Sequence, residues 1–194
     1  MKDHKTLSKE LEEITGASKE LIENIIKKSN EQGILYHGIR SKRKLEERAE
    51  KGIVPSTPEK LRGNKSEGET TYFATGTRFF YPLQDSPLFA YSGGSNRDEP
   101  EKTRLHMAQT SLEKLAEYGI YVFPDFEPDK VFNINSTIPR EAFSLIEIII
   151  DHPQDGKFRE YRKIGEQILL EKINELIKEP FKSGRRINVY KSIK

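Results

Sequence analysis

Cysteine is absent from the 194 residues, which rules out disulfides, thiolate metal sites and a cysteine nucleophile together. Long hydrophobic runs are missing as well: no stretch approaches the roughly 18 apolar residues that a membrane span needs. The opening Met1-Lys2-Asp3-His4-Lys5 leads into a charged helical pattern without the apolar core of a signal peptide. Nor is there an excess of charge of one sign. With 33 basic and 31 acidic residues the formal net charge is +2, so no global field draws the chain onto nucleic acid and any basic footprint is local. What remains is a chain 34% hydrophobic and 33% charged, long enough for one domain with a proper core but not for two. A soluble, cytoplasmic protein is expected.

Residues 7–31 carry Leu7, Leu11 and Ile14, then Leu21, Ile22, Ile25 and Ile26 at helical spacing, interrupted at Gly16-Ala17. A strand follows at 34–39. Ser41 is placed to cap a helix that runs through Lys51 and closes at Gly52. A loop punctuated by Pro55, Pro58, Gly63 and Gly68 leads to a second strand at 70–75, and residues 81–100 read as a long irregular stretch. Leu105, Ala108, Leu112 and Leu115 predict a helix of about four turns ending at Gly119. Segments 120–123 and 130–134 predict a hairpin, and Leu145–Ile150 a nearly continuous apolar strand. An amphipathic helix is expected over Phe158–Lys178, with Tyr161, Ile164, Ile168, Ile173, Leu176 and Ile177 inward, then a last strand near Arg185–Tyr190. This order predicts a mixed α+β fold rather than regular βαβ alternation. It divides into an N-terminal helical cap (1–33), a core (34–152), and a C-terminal helix with a basic tail packed on that core (153–194).

Two short strands carry the chemistry. In Ile34-Leu35-Tyr36-His37-Gly38-Ile39, alternation puts His37 on a face with Leu35 and Ile39, while Tyr36 faces the other way with Ile34 and Gly38. Gly38 has no Cβ and lets a ligand or another backbone come close. In Thr70-Thr71-Tyr72-Phe73-Ala74-Thr75, Tyr72 shares a face with the small Ala74. A histidine and a tyrosine on neighbouring strands are suited to frame a flat aromatic ligand. Taken singly, each is more often an ordinary strand residue than a functional one.

In this order and 35 positions apart, Leu35-Tyr36-His37-Gly38 and Tyr72-Phe73-Ala74 resemble the first two motifs of the His-Tyr-Glu class of ADP-ribosyltransferases. That class includes the diphtheria-toxin-like and poly(ADP-ribose) polymerase catalytic domains and small bacterial relatives such as the rifampin-modifying enzyme. The resemblance covers roughly residues 34–150. It implies a split mixed β-sheet core, NAD as co-substrate and nicotinamide release. The implied activity is mono-ADP-ribosyl transfer to an acceptor that is a protein, a nucleic acid or a small molecule. It further implies that His37 hydrogen-bonds a ribose, that Tyr72 stacks on the nicotinamide ring and that the Gly38 backbone holds the carboxamide. Tyr36, Phe73 and Ala74 would complete the strand walls. Relatives carry another ring on a helix after the second strand, a place that Tyr81 fits, with Phe79 and Phe80 beside it; anchoring of the loop explains these rings equally well.

Cleaving a nicotinamide–ribose bond passes through an oxocarbenium-like centre, as glycoside cleavage does, and calls for an immobilised leaving group with a carboxylate beside the developing charge. No metal is needed. Three carboxylates compete. Glu147 lies within the apolar strand, where it must sit at an edge, in a cleft or in a pair. Glu141 stands at that strand's mouth, and Asp129 in the Phe126–Asp129 turn resembles an aspartate that the rifampin-modifying relatives use. Two alternatives remain open. One is an NAD-using RNA 2′-phosphotransferase-like enzyme drawing on Arg40, Arg78, Arg104 and Arg140. The other is an inactive module of the same fold that binds nucleotide, ADP-ribose or a protein. Arg40, Lys42, Arg43 and Lys44 form a basic helix start, a solvated face or a contact for the NAD pyrophosphate. Lys182, Arg185, Arg186 and Lys191 are a short basic tail whose use on nucleic acid would be strongly salt-dependent. His106 and His152 have no partners at metal-ligand spacing.

Overall fold

The computed structural model describes residues 12–13, 15–55, 71–76, 90–95, 99–124 and 131–194. They form a mixed α+β structure around a seven-stranded sheet, with strand order β4-β5-β2-β1-β3-β6-β7. The strands are β1 (Ile34–Gly38), β2 (Thr71–Thr75), β3 (Lys102–Ser111), β4 (Phe123–Pro124), β5 (Val131–Ile134), β6 (Ser144–Asp151) and β7 (Arg186–Ser192). Every pairing is antiparallel except the outermost, where β7 runs parallel to β6. The sheet is continuous, not divided into two. The seam between β1 and β2 is short, its register confined to Leu35–Thr75 and Tyr36–Ala74, while β1 pairs with β3 over five positions.

The helices are α1 (Lys19–Glu31), α2 (Lys42–Lys51), α3 (Ala90–Gly94), α4 (Leu112–Glu117) and α5 (Phe158–Leu176), with a 3₁₀ turn at Arg140–Ala142. Local chemistry sets several boundaries. Gly16 takes φ +69°, which interrupts the N-terminal helical segment where expected, and Ser18 then caps α1 by accepting from the Leu21 N–H at 3.2 Å. Ser41 caps α2 in the same way through the Lys44 N–H, and Gly52 ends it at φ +77°.

The sheet is covered on both faces. One face, bearing Tyr36, Ala74, Leu105, Met107, Ile146 and Ile148, packs under Ile22 and Ile25 of α1, Tyr91 of α3 and Leu169, Leu170 and Ile173 of α5. The other, bearing Leu35, Phe73, Ala108 and Leu145, packs under Leu45 of α2, Leu115 of α4 and Ala142 beside β6. α1 and the end of α5 meet on the first face. Asn24 donates to Asn174 at 2.7 Å, and Gln32 donates to the Ile177 carbonyl at 2.8 Å.

Three expectations are corrected. Residues 102–111 form strand β3, not the first turns of a helix; the helix starts only at Leu112, capped by Ser111. β3 is central and buried on both faces, so Leu105 and Ala108 are both inward although they face opposite ways, which mimics helical spacing. Of the residues expected inward on α5, Ile173 and Ile177 are buried and Ile168 and Leu176 pack on the same core, but Ile164 is 44% exposed, and Gly165, Glu166, Leu169 and Leu170 complete the stripe. Gly165 sets that rotation, since a Cβ there would lie 2.4 Å from Thr103 Oγ1. Ala90–Gly94 is a short helix within a stretch that reads as loop. No described helix is long and apolar enough to cross a membrane.

Candidate functional site

β1 and β2 are neighbours, as the two motifs require, and they part at His37. The Ile39 N–H donates to the His106 carbonyl at 2.8 Å, so by strand alternation the odd-numbered residues of β1 turn their main chain to β3. Gly38 therefore turns its N–H and C=O towards β2, at the level where the described β1–β2 ladder has ended. The Tyr72 carbonyl, which a continuing ladder would use, instead contacts His37 Nδ1 at 2.8 Å. A histidine side chain thus takes the place of a rung and holds the strands open.

His37 has a second contact, Nε2 to Arg48 Nη2 at 3.0 Å. A guanidinium only donates, so Nε2 accepts and the proton sits on Nδ1, which donates to the Tyr72 carbonyl. The ring leans on Phe73 with centroids 5.3 Å apart. Burial, reinforced by the Arg48 charge and opposed by the bond to Tyr72, lowers the His37 pKa from 6.5 to about 3. The imidazole is neutral at pH 7.

Register separates the two motif rings. Tyr36 opposes Ala74, so Tyr72 projects to the face of Tyr36 and Gly38, and His37 to the other. The structure joins His37 to the main chain of Tyr72, not to its ring. Tyr36 is fully buried and shares a 2.6 Å hydrogen bond with Ser29; burial raises its phenol pKa. Tyr36 and Ala74 are core residues of the first face, and Phe73 of the second.

α3 lies directly on Gly38. A Cβ at Gly38 would fall 2.3 Å from the Ala90 carbonyl oxygen and 2.7 Å from the Gly94 nitrogen, and one at Gly94 would fall 2.3 Å from the His106 carbonyl oxygen. Two glycines thus let β1, β3 and α3 meet backbone to backbone. The meeting buries Tyr91 completely, on the face that also holds Gly38 and Tyr72. Tyr91 is an aromatic residue on a helix after β2, within a stretch that reads as loop because of Gly93-Gly94. Tyr81, Phe79 and Phe80 lie outside the described residues, as do Asp129 and Arg78.

Glu147 is 1% exposed and, as its position demands, paired. It stands opposite His106 of β3 and Asn188 of β7 in register, on the same face as His37. Two strand spacings, about 10 Å, separate β6 from β1. His106 Nε2 is 3.1 Å from Glu147 Oε1, a close contact outside hydrogen-bond alignment, and Lys42 Nζ is 3.6 Å from the same oxygen. The Tyr190 hydroxyl donates to Oε2, and that bond raises the phenol pKa. Burial lowers the His106 pKa, against the pull of Glu147. Arg186 clasps Glu46 through two bonds of 2.7 and 2.5 Å, tying α2 to β7 above this group. His106 was passed over in the sequence because its partner lies 41 positions away on a strand not yet paired with it.

Glu141 is exposed on the 3₁₀ turn before β6. Two arginines of the phosphotransferase alternative, Arg104 and Arg140, are engaged separately. Arg104 pairs with Glu99 at 3.0 Å, and Arg140 donates to the carbonyls of Phe143 and Arg185 at 2.6 and 2.9 Å. Among the described residues there is no group of three or more His, Cys, Asp or Glu side chains that could hold a metal ion. No protein-family model, curated protein or solved structure matches this chain.

Proposed function

We propose that the chain is an NAD-dependent mono-ADP-ribosyltransferase whose donor binds where β1 and β2 part. One observation carries the reading. The glycine that follows the motif histidine turns its N–H and C=O into an interrupted ladder, beside Tyr72 and beneath the helix that bears Tyr91. A carboxamide, with one donor and one acceptor side, is complementary to such an edge.

NAD, when bound, supplies an ADP-ribosyl group by heterolysis of its nicotinamide–ribose bond, with nicotinamide leaving on the electron pair. Gly38 orients the leaving group through its main chain, and the half-buried Tyr72 ring is the stacking surface on that face. His37, neutral and fixed in its tautomer, keeps the strands apart; with both ring nitrogens engaged by the Tyr72 carbonyl and Arg48, it acts by positioning rather than by the ribose hydrogen bond expected of it. Glu147 is the preferred carboxylate over Glu141 because it shares the His37 face; it lies two strands from β1 beneath Tyr190 and Lys42, so this role requires those side chains to release it. The acceptor nucleophile bonds to the anomeric carbon and gives up its proton.

Calorimetry and thermal shift with NAD and nicotinamide test this reading. The wild-type chain is expected to bind both, and His37→Ala and Tyr72→Ala to lose binding while keeping a native circular dichroism spectrum. A wild-type chain that neither shifts with these ligands nor releases nicotinamide from NAD refutes it.

A further inference from the structure

Arg48 is a partly buried cation whose nearest acidic influence among the described residues is the neighbouring Glu47, which makes no ion pair with it. It stands in the last turn of α2, and its Nη2 donates to a neutral acceptor, His37 Nε2, at 3.0 Å. Its Nε is buried and makes no hydrogen bond. Among the described residues no carboxylate forms an ion pair with it. The neighbouring Glu47 is held by Lys44 at 2.6 Å on the exposed side of the helix.

Burying a guanidinium is costly unless it is paired, and arginine cannot escape the cost by losing its proton. Two structural roles fall short of explaining it. Fixing the His37 tautomer needs only one N–H donor, which an uncharged amide supplies. The carbonyl end of α2 favours a cation, but only as a small offset for a buried charge. What the guanidinium adds is a positive charge and a planar fork of further N–H groups, the geometry that matches a phosphate oxyanion. It holds this fork one imidazole away from the place where β1 and β2 part.

We infer that Arg48 is the anchor of an anion site for a phosphoanhydride, the pyrophosphate bridge of a nucleotide lying along the β1–β2 opening. The identity of that nucleotide as NAD rests on the reading above; the anion site itself does not. It also moves the phosphate contact from the basic start of α2, where Lys42 is drawn to Glu147, to the far end of the same helix.

Titration calorimetry with inorganic pyrophosphate, ADP-ribose and nicotinamide riboside on the full chain tests it. Arg48→Gln keeps the donor to His37 and removes the charge. It is expected to weaken pyrophosphate and ADP-ribose by about 10- to 100-fold, the worth of a charge-assisted bond, and to leave nicotinamide riboside nearly unchanged. Arg48→Lys, which restores charge without the fork, should recover part of the loss; if Arg48→Gln does not fold, a smaller drop in Arg48→Lys, again confined to pyrophosphate and ADP-ribose, decides. Equal ADP-ribose affinity in wild type and the folded variant overturns the inference, as does a wild-type chain that binds neither phosphate ligand. Arg48-dependent ADP-ribose binding without nicotinamide release from NAD keeps the anion site and removes the transferase reading. Nicotinamide release that is indifferent to Arg48 does the reverse.

Discussion

Replacing Gly38 by alanine sets a methyl carbon 2.3 Å from the Ala90 carbonyl oxygen, 2.7 Å from the Gly94 nitrogen and 3.0 Å from the Ala90 carbonyl carbon. All three are backbone atoms, and ordinary contact begins near 3.4 Å, so α3 must retreat by roughly 1 Å. It has no easy direction to go, because Gly94 is itself pressed on the His106 carbonyl and Tyr91 is locked in the core. Overpacking of this kind costs about 1–3 kcal/mol, and a chain of this size loses about 2–4 °C of Tm per kcal/mol, so a fall of roughly 2–12 °C is expected. Gly119→Ala is the control. Nothing lies within 4 Å of a Cβ there, and the left-handed φ of +65° alone costs about 1 kcal/mol. Differential scanning calorimetry measures both variants, and NAD titration separates them, since only Gly38→Ala should lose the nucleotide. A Gly38→Ala chain that melts within about 1 °C of the parent and binds NAD normally refutes the close seating of α3 on β1.

Two pH effects follow from buried groups, with opposite signs. His37 is held near 3 against an ordinary 6.5, so the unfolded chain takes up its proton first. Its contribution is complete above about 6.5 and is lost as pH falls towards 3; His37→Gln should flatten that limb in urea unfolding measured at several pH values. Glu166 of α5 is 2% exposed, its Oε2 makes no hydrogen bond, and burial raises its pKa from 4.5 to about 8. The unfolded chain releases that proton first, so stability falls as pH rises from 4.5 to 8, and Glu166→Gln should remove the fall and be more stable than the parent at pH 8.

What could be read in advance was local. Ser41 and Gly52 bracket α2 because a cap and a left-handed terminator act on their own helix. Alternation in β1 correctly set Tyr36 and His37 on opposite faces, and a carboxylate inside the apolar β6 was correctly expected to need partners. What escaped was set by tertiary contact. Whether Tyr72 joins His37 or Tyr36 depends on the β1–β2 register, and a shift of one residue reverses the answer. β3 passed for a helix because a strand buried on both sides loses its alternation, and with it went the pairing of His106 with Glu147. α3 exists because Gly38 and Gly94 admit its backbone, which no pattern within residues 90–94 expresses. Arg48 stood out only when its neighbour proved to be a histidine rather than a carboxylate.

The most direct test of the account is nicotinamide release from NAD, followed by chromatography for the wild-type chain, Glu147→Gln and Glu141→Gln. Wild type and Glu141→Gln are expected to release nicotinamide at similar rates. Glu147→Gln should fall by about 100-fold or more while still binding NAD, the scale of losing one group that stabilises the transition-state charge. Release that survives in Glu147→Gln and disappears in Glu141→Gln would move the chemistry to the mouth of β6; no release from the wild-type chain would contradict the account at its root.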